Sequence, residues 1–281
     1  MAAVLLALLS AVCLGGGDTL AAVGARRSGV LLTALLSSTV AALLCGVLWV
    51  LDGPDLTRAT WQALLLTAAA GIAMGVGTVA LFAGLTAGPV SLVSAVSAAY
   101  PLVGTVIGVL WYGAALSTGD VLAVLVVCLG ILLFVSTGER GTGPVGRGLA
   151  LAAVTACAWG VGYPLLAEAV RLLDWRFVTF AEFLVMTVLF APAGVRSSSR
   201  GAPVLPLVGA GVAQAVGVCA LNIALEPGAG DADSITAVAV SACYPVVTAL
   251  LAVLVLRDRL TPPQFGGIAV LIAGIVLTVV S

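Results

Sequence analysis

About ten runs of roughly twenty apolar residues, joined by short polar connections, leave this chain few folds to adopt. The runs are Ala2–Ala22, Val30–Leu51, Trp61–Ala87, Ser91–Tyr112, Gly119–Ser136, Gly148–Val170, Phe177–Val195, Val204–Leu225, Ser234–Leu256 and Pro263–Val280. Hydrocarbon offers no partners to backbone N–H and C=O groups, so runs of this length must form helices. Only 8% of residues are charged, against roughly 25% in a soluble domain, so no soluble surface can be assembled from them. The fold class expected is an all-α, multi-pass protein of the cell (cytoplasmic) membrane with the lipid bilayer as its surroundings. Met1–Gly16 lacks the basic start of a signal peptide and is read as the first span.

Composition also removes functions. There is no lysine and no histidine, and all eleven cations are arginine. That excludes Ser/His and Cys/His nucleophilic pairs, histidine-ligated haem and the common zinc sites. No ATP-binding cassette or phosphate loop is present. An enzyme is therefore not expected, nor a metal or other cofactor. The net charge of −1 argues against a nucleic-acid partner. The six cysteines lie inside apolar runs without a C-x-x-C pair and read as small buried hydrophobes.

The chain repeats itself. At a shift of 144, Pro89–Val135 lies on Asp233–Val279 without a gap, with about one position in three identical. Ala95-Val96-Ser97-Ala98 meets Ala239-Val240-Ser241-Ala242, and Tyr100-Pro101 meets Tyr244-Pro245. Cys13 meets Cys157 at the same shift, and Ala70-Gly71 and Val76-Gly77 meet Ala210-Gly211 and Val216-Gly217 at a shift of 140. Each half then holds about five spans, residues 1–137 and 148–281. Five is odd, so the halves enter the membrane in opposite orientations. Such inverted repeats are typical of secondary transporters, whose sites lie between the repeats near mid-membrane.

With these features the chain resembles the drug/metabolite transporter superfamily, in its ten-helix EamA-type branch. The resemblance is carried by Ala158-Trp159-Gly160, Ala220-Leu221-Asn222-Ile223-Ala224-Leu225, Ser241-Ala242-Cys243-Tyr244-Pro245, Leu256-Arg257-Asp258-Arg259-Leu260-Thr261-Pro262 and Ala273-Gly274-Ile275. It spans essentially the whole chain. Relatives usually have Gly-Glu-Arg where Arg257-Asp258-Arg259 stands here, and many have Trp-Gly where Gly15-Gly16 stands. The resemblance implies a secondary transporter, more often an exporter, of amino acids, other metabolites or drugs. The competing reading is a non-transporting scaffold or accessory subunit.

Several residues are candidates for the site. Pro101 and Pro245, about ten residues into their runs, are expected to kink their helices and act as paired hinges. Gln214, Val218, Asn222 and Glu226 recur at four-residue steps on the eighth run. Their amides either bridge helices or line a cavity. Gln214 and Asn222, with Trp159, Tyr100 and Tyr244, are the expected substrate-binding set. The third, fourth, eighth and ninth spans are expected to surround the cavity. Intramembrane carboxylates are functional-site hypotheses by default, which singles out Glu182 and Asp18. Burial disfavours a charged carboxylate, so each is a candidate proton carrier, Glu182 first, facing different mouths of the cavity. The bland alternatives have Asp18 reach water at a helix end or pair with Arg26, and Glu182 pair with a neighbouring helix or with Arg176. No arginine falls mid-run, so a neutral, zwitterionic or cationic small-molecule substrate is expected, not an anion.

Orientation has two rival expectations. Odd-numbered connections hold Arg26, Arg27, Arg140, Arg147, Arg196, Arg200, Arg257 and Arg259, whereas even ones hold Arg58, Arg171 and Arg176. By the positive-inside bias both termini lie outside. The family resemblance implies both are cytoplasmic.

Overall fold

The computed structural model describes residues 2–53, 56, 59–112, short pieces between 118 and 133, 144–196, 203–224, 240–241, 243–257 and 262–280. The run Gly119–Ser136 lies largely outside them, as do residues 234–239, Glu226, Cys128 and Asp258-Arg259. Among the described residues all regular structure is helical: α1 Ala2–Ser28, α2 Val30–Leu51, α3 Trp61–Ala87, α4 Val90–Ser97, α5 Tyr100–Tyr112, α6 Pro144–Leu172, α7 Trp175–Gly194, α8 Val204–Ala224, α9 Tyr244–Val255 and α10 Pro262–Val280. Six of them (α1, α2, α3, α6, α7 and α8) are long and apolar enough to cross a membrane.

Capping and backbone sterics set the helix ends. Thr60 Oγ1 accepts from Ala63 N at 3.3 Å ahead of α3, and an Asp174 carboxylate oxygen accepts from Arg176 N at 2.6 Å ahead of α7. Asp174→Ala should lower thermal stability in detergent by about 1 kcal/mol, the usual worth of such a cap. The first connection is shorter than the sequence suggests. Helix α1 runs on through Arg26 and Arg27, and the corner is Gly29 alone, at a φ of 89° that favours glycine. Arg26 reaches back to donate to the carbonyls of Leu85 and Gly88 at the end of α3, satisfying groups the helix leaves open. At the end of α9, Arg257 has φ 58°, the left-handed conformation that usually calls for glycine. The family resemblance implies glycine at this position. Arg257→Gly should raise stability by about 1 kcal/mol, read as a higher unfolding temperature.

The fourth run is not one kinked helix. It breaks at Ala98-Ala99 into α4 and α5, and Pro101 is the second residue of the new helix. Pro245 occupies the same place in α9, which follows a turn at Cys243. Proline at a helix start lacks an N–H that would have no partner anyway, so it costs little there. The expected interior kink is therefore corrected to a helix start after a break. Ala99 N donates to Val96 O at 3.1 Å and Leu102 N to Ala99 O at 3.1 Å. In the other half Cys243 N donates to Val240 O at 3.2 Å and Val246 N to Cys243 O at 2.9 Å.

Small residues let the helices approach closely. A Cβ on Gly160 of α6 would meet Val103 and come within 2.9 Å of Tyr100 O on α5. A Cβ on Gly15 of α1 would meet Val247 at 2.7 Å and Tyr244 O at 2.8 Å on α9. Gly77 of α3 receives the Trp159 ring of α6, and Gly217 of α8 receives Leu14 of α1. Gly71 of α3 packs on Val185 of α7, and Gly211 of α8 on Val40 of α2. The most extensive pairings are α3 with α6, α1 with α8 and α2 with α7. Trp49 of α2 reinforces the last, stacking on Phe180 at 5.6 Å between ring centres. Cys45 and Cys219 meet across α2 and α8 with their sulfurs 3.8 Å apart, both as buried free thiols.

Candidate substrate cavity

A cavity of about 70 Å³ lies where these helices converge. Helix α1 lends it Leu14 and Asp18, α3 Met74 and Thr78, and α6 Trp159 and Tyr163. Helix α7 supplies Glu182, Phe183 and Met186, α8 supplies Gln214 and Val218, and α9 supplies Tyr244. The third, eighth and ninth spans border it as expected, but so do the first, sixth and seventh. The fourth, contrary to expectation, gives the cavity no described lining residue; its Ser94 Oγ only donates to Asp18 Oδ2 at 2.8 Å.

The two intramembrane acids meet here. Asp18 is 7% exposed and Glu182 6%, and both border this one cavity instead of separate mouths. Thr248 Oγ1, beside the start of α9, is a second and longer donor to Asp18 at 3.5 Å. Among the described residues, nothing donates to Glu182 and no cation pairs with it. The bland pairings do not form. Arg26 is bound to carbonyls, and Arg176 bridges to Asp52 at 3.2 Å and Asp174 at 3.5 Å.

Other candidates fall on and off the cavity. Gln214 Oε1 and the Tyr244 hydroxyl are buried without a partner among the described residues, and both side chains line it. Orphaned buried polar atoms are rare and call for an explanation such as a bound ligand. Trp159 lines the cavity, although its Nε1 is committed to Met74 O at 3.3 Å. Tyr100 stands one layer behind, stacked on Tyr163 with ring centres 4.5 Å apart and edge-on to Trp159 at 6.0 Å. Asn222 does not line it. Its amide donates to Thr179 Oγ1 of α7 at 3.2 Å, so of the two amides one bridges helices and one faces the cavity. The physical reason is depth: Asn222 is two turns beyond Gln214, past the cavity's reach.

Sequence reasoning passed over Tyr163, Met186 and Phe183. Tyr163 was visible only as a polar ring next to Pro164, four residues after Trp159 and hence on the same helix face.

Six apolar helices long enough to span, packed through glycines, five of them lining a cavity with two buried carboxyls, make this a multi-pass membrane protein. The model of the EamA-like transporter family matches residues 1–136 and 146–280, and the chain belongs to that family. An uncharacterized transporter of Archaeoglobus fulgidus is 24% identical over 227 residues, covering 80% of this chain and 79% of the relative. A solved crystal structure at 19% identity aligns over 97% of this chain and 94% of its own, with a TM-score of 0.66, which speaks to the fold alone. Family and relative point to transport, not catalysis.

Proposed function

We propose that the chain is a secondary exporter of small neutral, zwitterionic or cationic metabolites or drugs, working by alternating access in the cytoplasmic membrane. Ten spans form two five-helix halves of opposite orientation, and the Asp18–Glu182 cavity between them takes the solute. The observation that carries the reading is this cavity. It is bordered by helices of both halves, and two polar atoms in it, Gln214 Oε1 and the Tyr244 hydroxyl, await a partner.

Paired contacts support the inverted halves. Gly15 lies on Tyr244 and Val247 as Gly160 lies on Tyr100 and Val103. Exchanging the halves turns the α3–α6 packing into α8–α1, α2–α8 into α7–α3 and α1–α9 into α6–α5. The α2–α7 and α4–α9 packings map onto themselves. Breaks at Ala98-Ala99 and Cys243 give each half a place to flex, the role proposed for Pro101 and Pro245. Protonation of Glu182 removes the cost of an unpaired buried charge and is the coupling step. Export follows from the family's habit.

Counterflow tests the reading. Proteoliposomes preloaded with a candidate solute should transiently accumulate its labelled form from outside. Folded protein that supports no counterflow across a broad panel of amino acids, amines and amphipathic drugs would favour a non-transporting role.

A further inference from the structure

Among the described residues, the acids that border the cavity have no cation partner. Asp18 accepts hydrogen bonds from two hydroxyls, Ser94 at 2.8 Å and Thr248 at 3.5 Å, and nothing else among the described residues donates to it. No arginine is among the described residues that line the cavity. Among the described residues, the other ionisable side chains near the two acids are Tyr163, Tyr244 and Cys45, all of types that ordinarily titrate above neutral pH. Beside the carboxyls stand Trp159, Tyr163 and Tyr244, with Tyr100 stacked behind. The faces of such rings attract cations. A buried carboxylate is best served by a positive partner, and one supplied by the solute meets that need without a resident arginine.

We infer that the solute is a monovalent organic cation, an ammonium bearing small apolar substituents, with Asp18 as its ion-pair partner and the rings of Trp159, Tyr163 and Tyr244 around its substituents. This rests on the transporter reading and narrows it. Two carboxyls are then neutralised by one solute cation at Asp18 and one proton at Glu182. In export the two are carried in turn: the cation crosses outward on Asp18 and the proton returns on Glu182.

The test is calorimetric titration of the purified full chain in detergent. The probes are phenyltrimethylammonium, its uncharged isostere tert-butylbenzene and the anion benzenesulfonate. The cation should bind at least about thirtyfold more tightly than the isostere, since a buried charge partner contributes that much or more, and the anion should not bind. Asp18→Asn should weaken cation binding by about thirtyfold or more, and Asp18→Glu should restore part of it. Equal binding of the cation and its isostere would overturn the inference. So would an Asp18→Asn protein that binds the cation as the parent does, or no binding of the cation at all. If Asp18→Asn does not fold, the ratio of cation to isostere in the parent decides. Cation selectivity without counterflow of any solute would sink the transporter reading alone. Counterflow of neutral solutes with no cation selectivity would sink this inference alone.

Discussion

Glu182→Gln will abolish accumulation driven by a pH gradient and spare solute exchange. Glutamine keeps the size and polarity of the side chain at a position that is 6% exposed and has no partner among the described residues. Little packing is disturbed, and what is lost is the ability to gain and release a proton. In inverted vesicles with an imposed gradient, the parent should concentrate solute several-fold and the variant should only equilibrate it. Exchange of labelled for unlabelled solute needs no net proton movement, and should continue within a few-fold of the parent. A variant that still concentrates solute as the parent does would make Glu182 structural and place coupling elsewhere.

A single methyl group on Gly15 will damage the protein, and the same methyl on its neighbour will not. The Gly15 Cβ would stand 2.7 Å from Val247 Cβ, 2.8 Å from Tyr244 O and 2.9 Å from Thr248 N. Two of those atoms belong to the backbone of α9, so the contact cannot be relieved by a rotamer change. Separating α1 from α9 also pulls Asp18 away from Thr248. Gly15→Ala should cost about 3 kcal/mol, at the upper end for overpacking, and most transport with it. A Cβ on Gly16 meets nothing within 4 Å. Gly16→Ala should be neutral or stabilising by up to about 1 kcal/mol, because alanine is the better helix former. Unfolding temperatures of the two variants in detergent, side by side, make the comparison.

Most of the helices were legible in the sequence because lipid leaves the backbone one solution. The boundaries of Val30–Leu51 and Trp61–Ala87 coincide with the apolar runs. The break at Ala98-Ala99 was not legible, since proline at the centre of an apolar run looks the same whether it kinks a helix or begins one. Under the proposed repeat, the contacts place the first and sixth runs one residue away from the alignment read in the sequence. Cys13 aligns with Cys157 at 144, whereas Gly15 and Gly160 make the matching contacts, a spacing of 145. A one-residue slip between two alanine-, leucine- and glycine-rich helices changes few identities but rotates the helix by about 100°. At the contact-based spacing Leu14 answers to Trp159 and Asp18 to Tyr163. The site is therefore chemically lopsided. Under the proposed repeat one half offers a carboxyl where the other offers a phenol, which no single-residue motif announces. The acids themselves were legible, because a carboxyl in an apolar run has few reasons to be there. Which amide faces the cavity was not, as Gln214 and Asn222 share a helix side and differ only in depth.

Side-specific labelling at Gln214 tests the central claim most directly. In a chain with its native cysteines replaced, Gln214→Cys places one thiol in the Asp18–Glu182 cavity. If the two halves open that cavity alternately, a membrane-impermeant maleimide should modify the thiol from either face of the membrane. Reagent on one face should then protect against the other, and a transported solute should slow both reactions. Labelling from one face only, whatever the pH or solute, would contradict alternating access through this cavity.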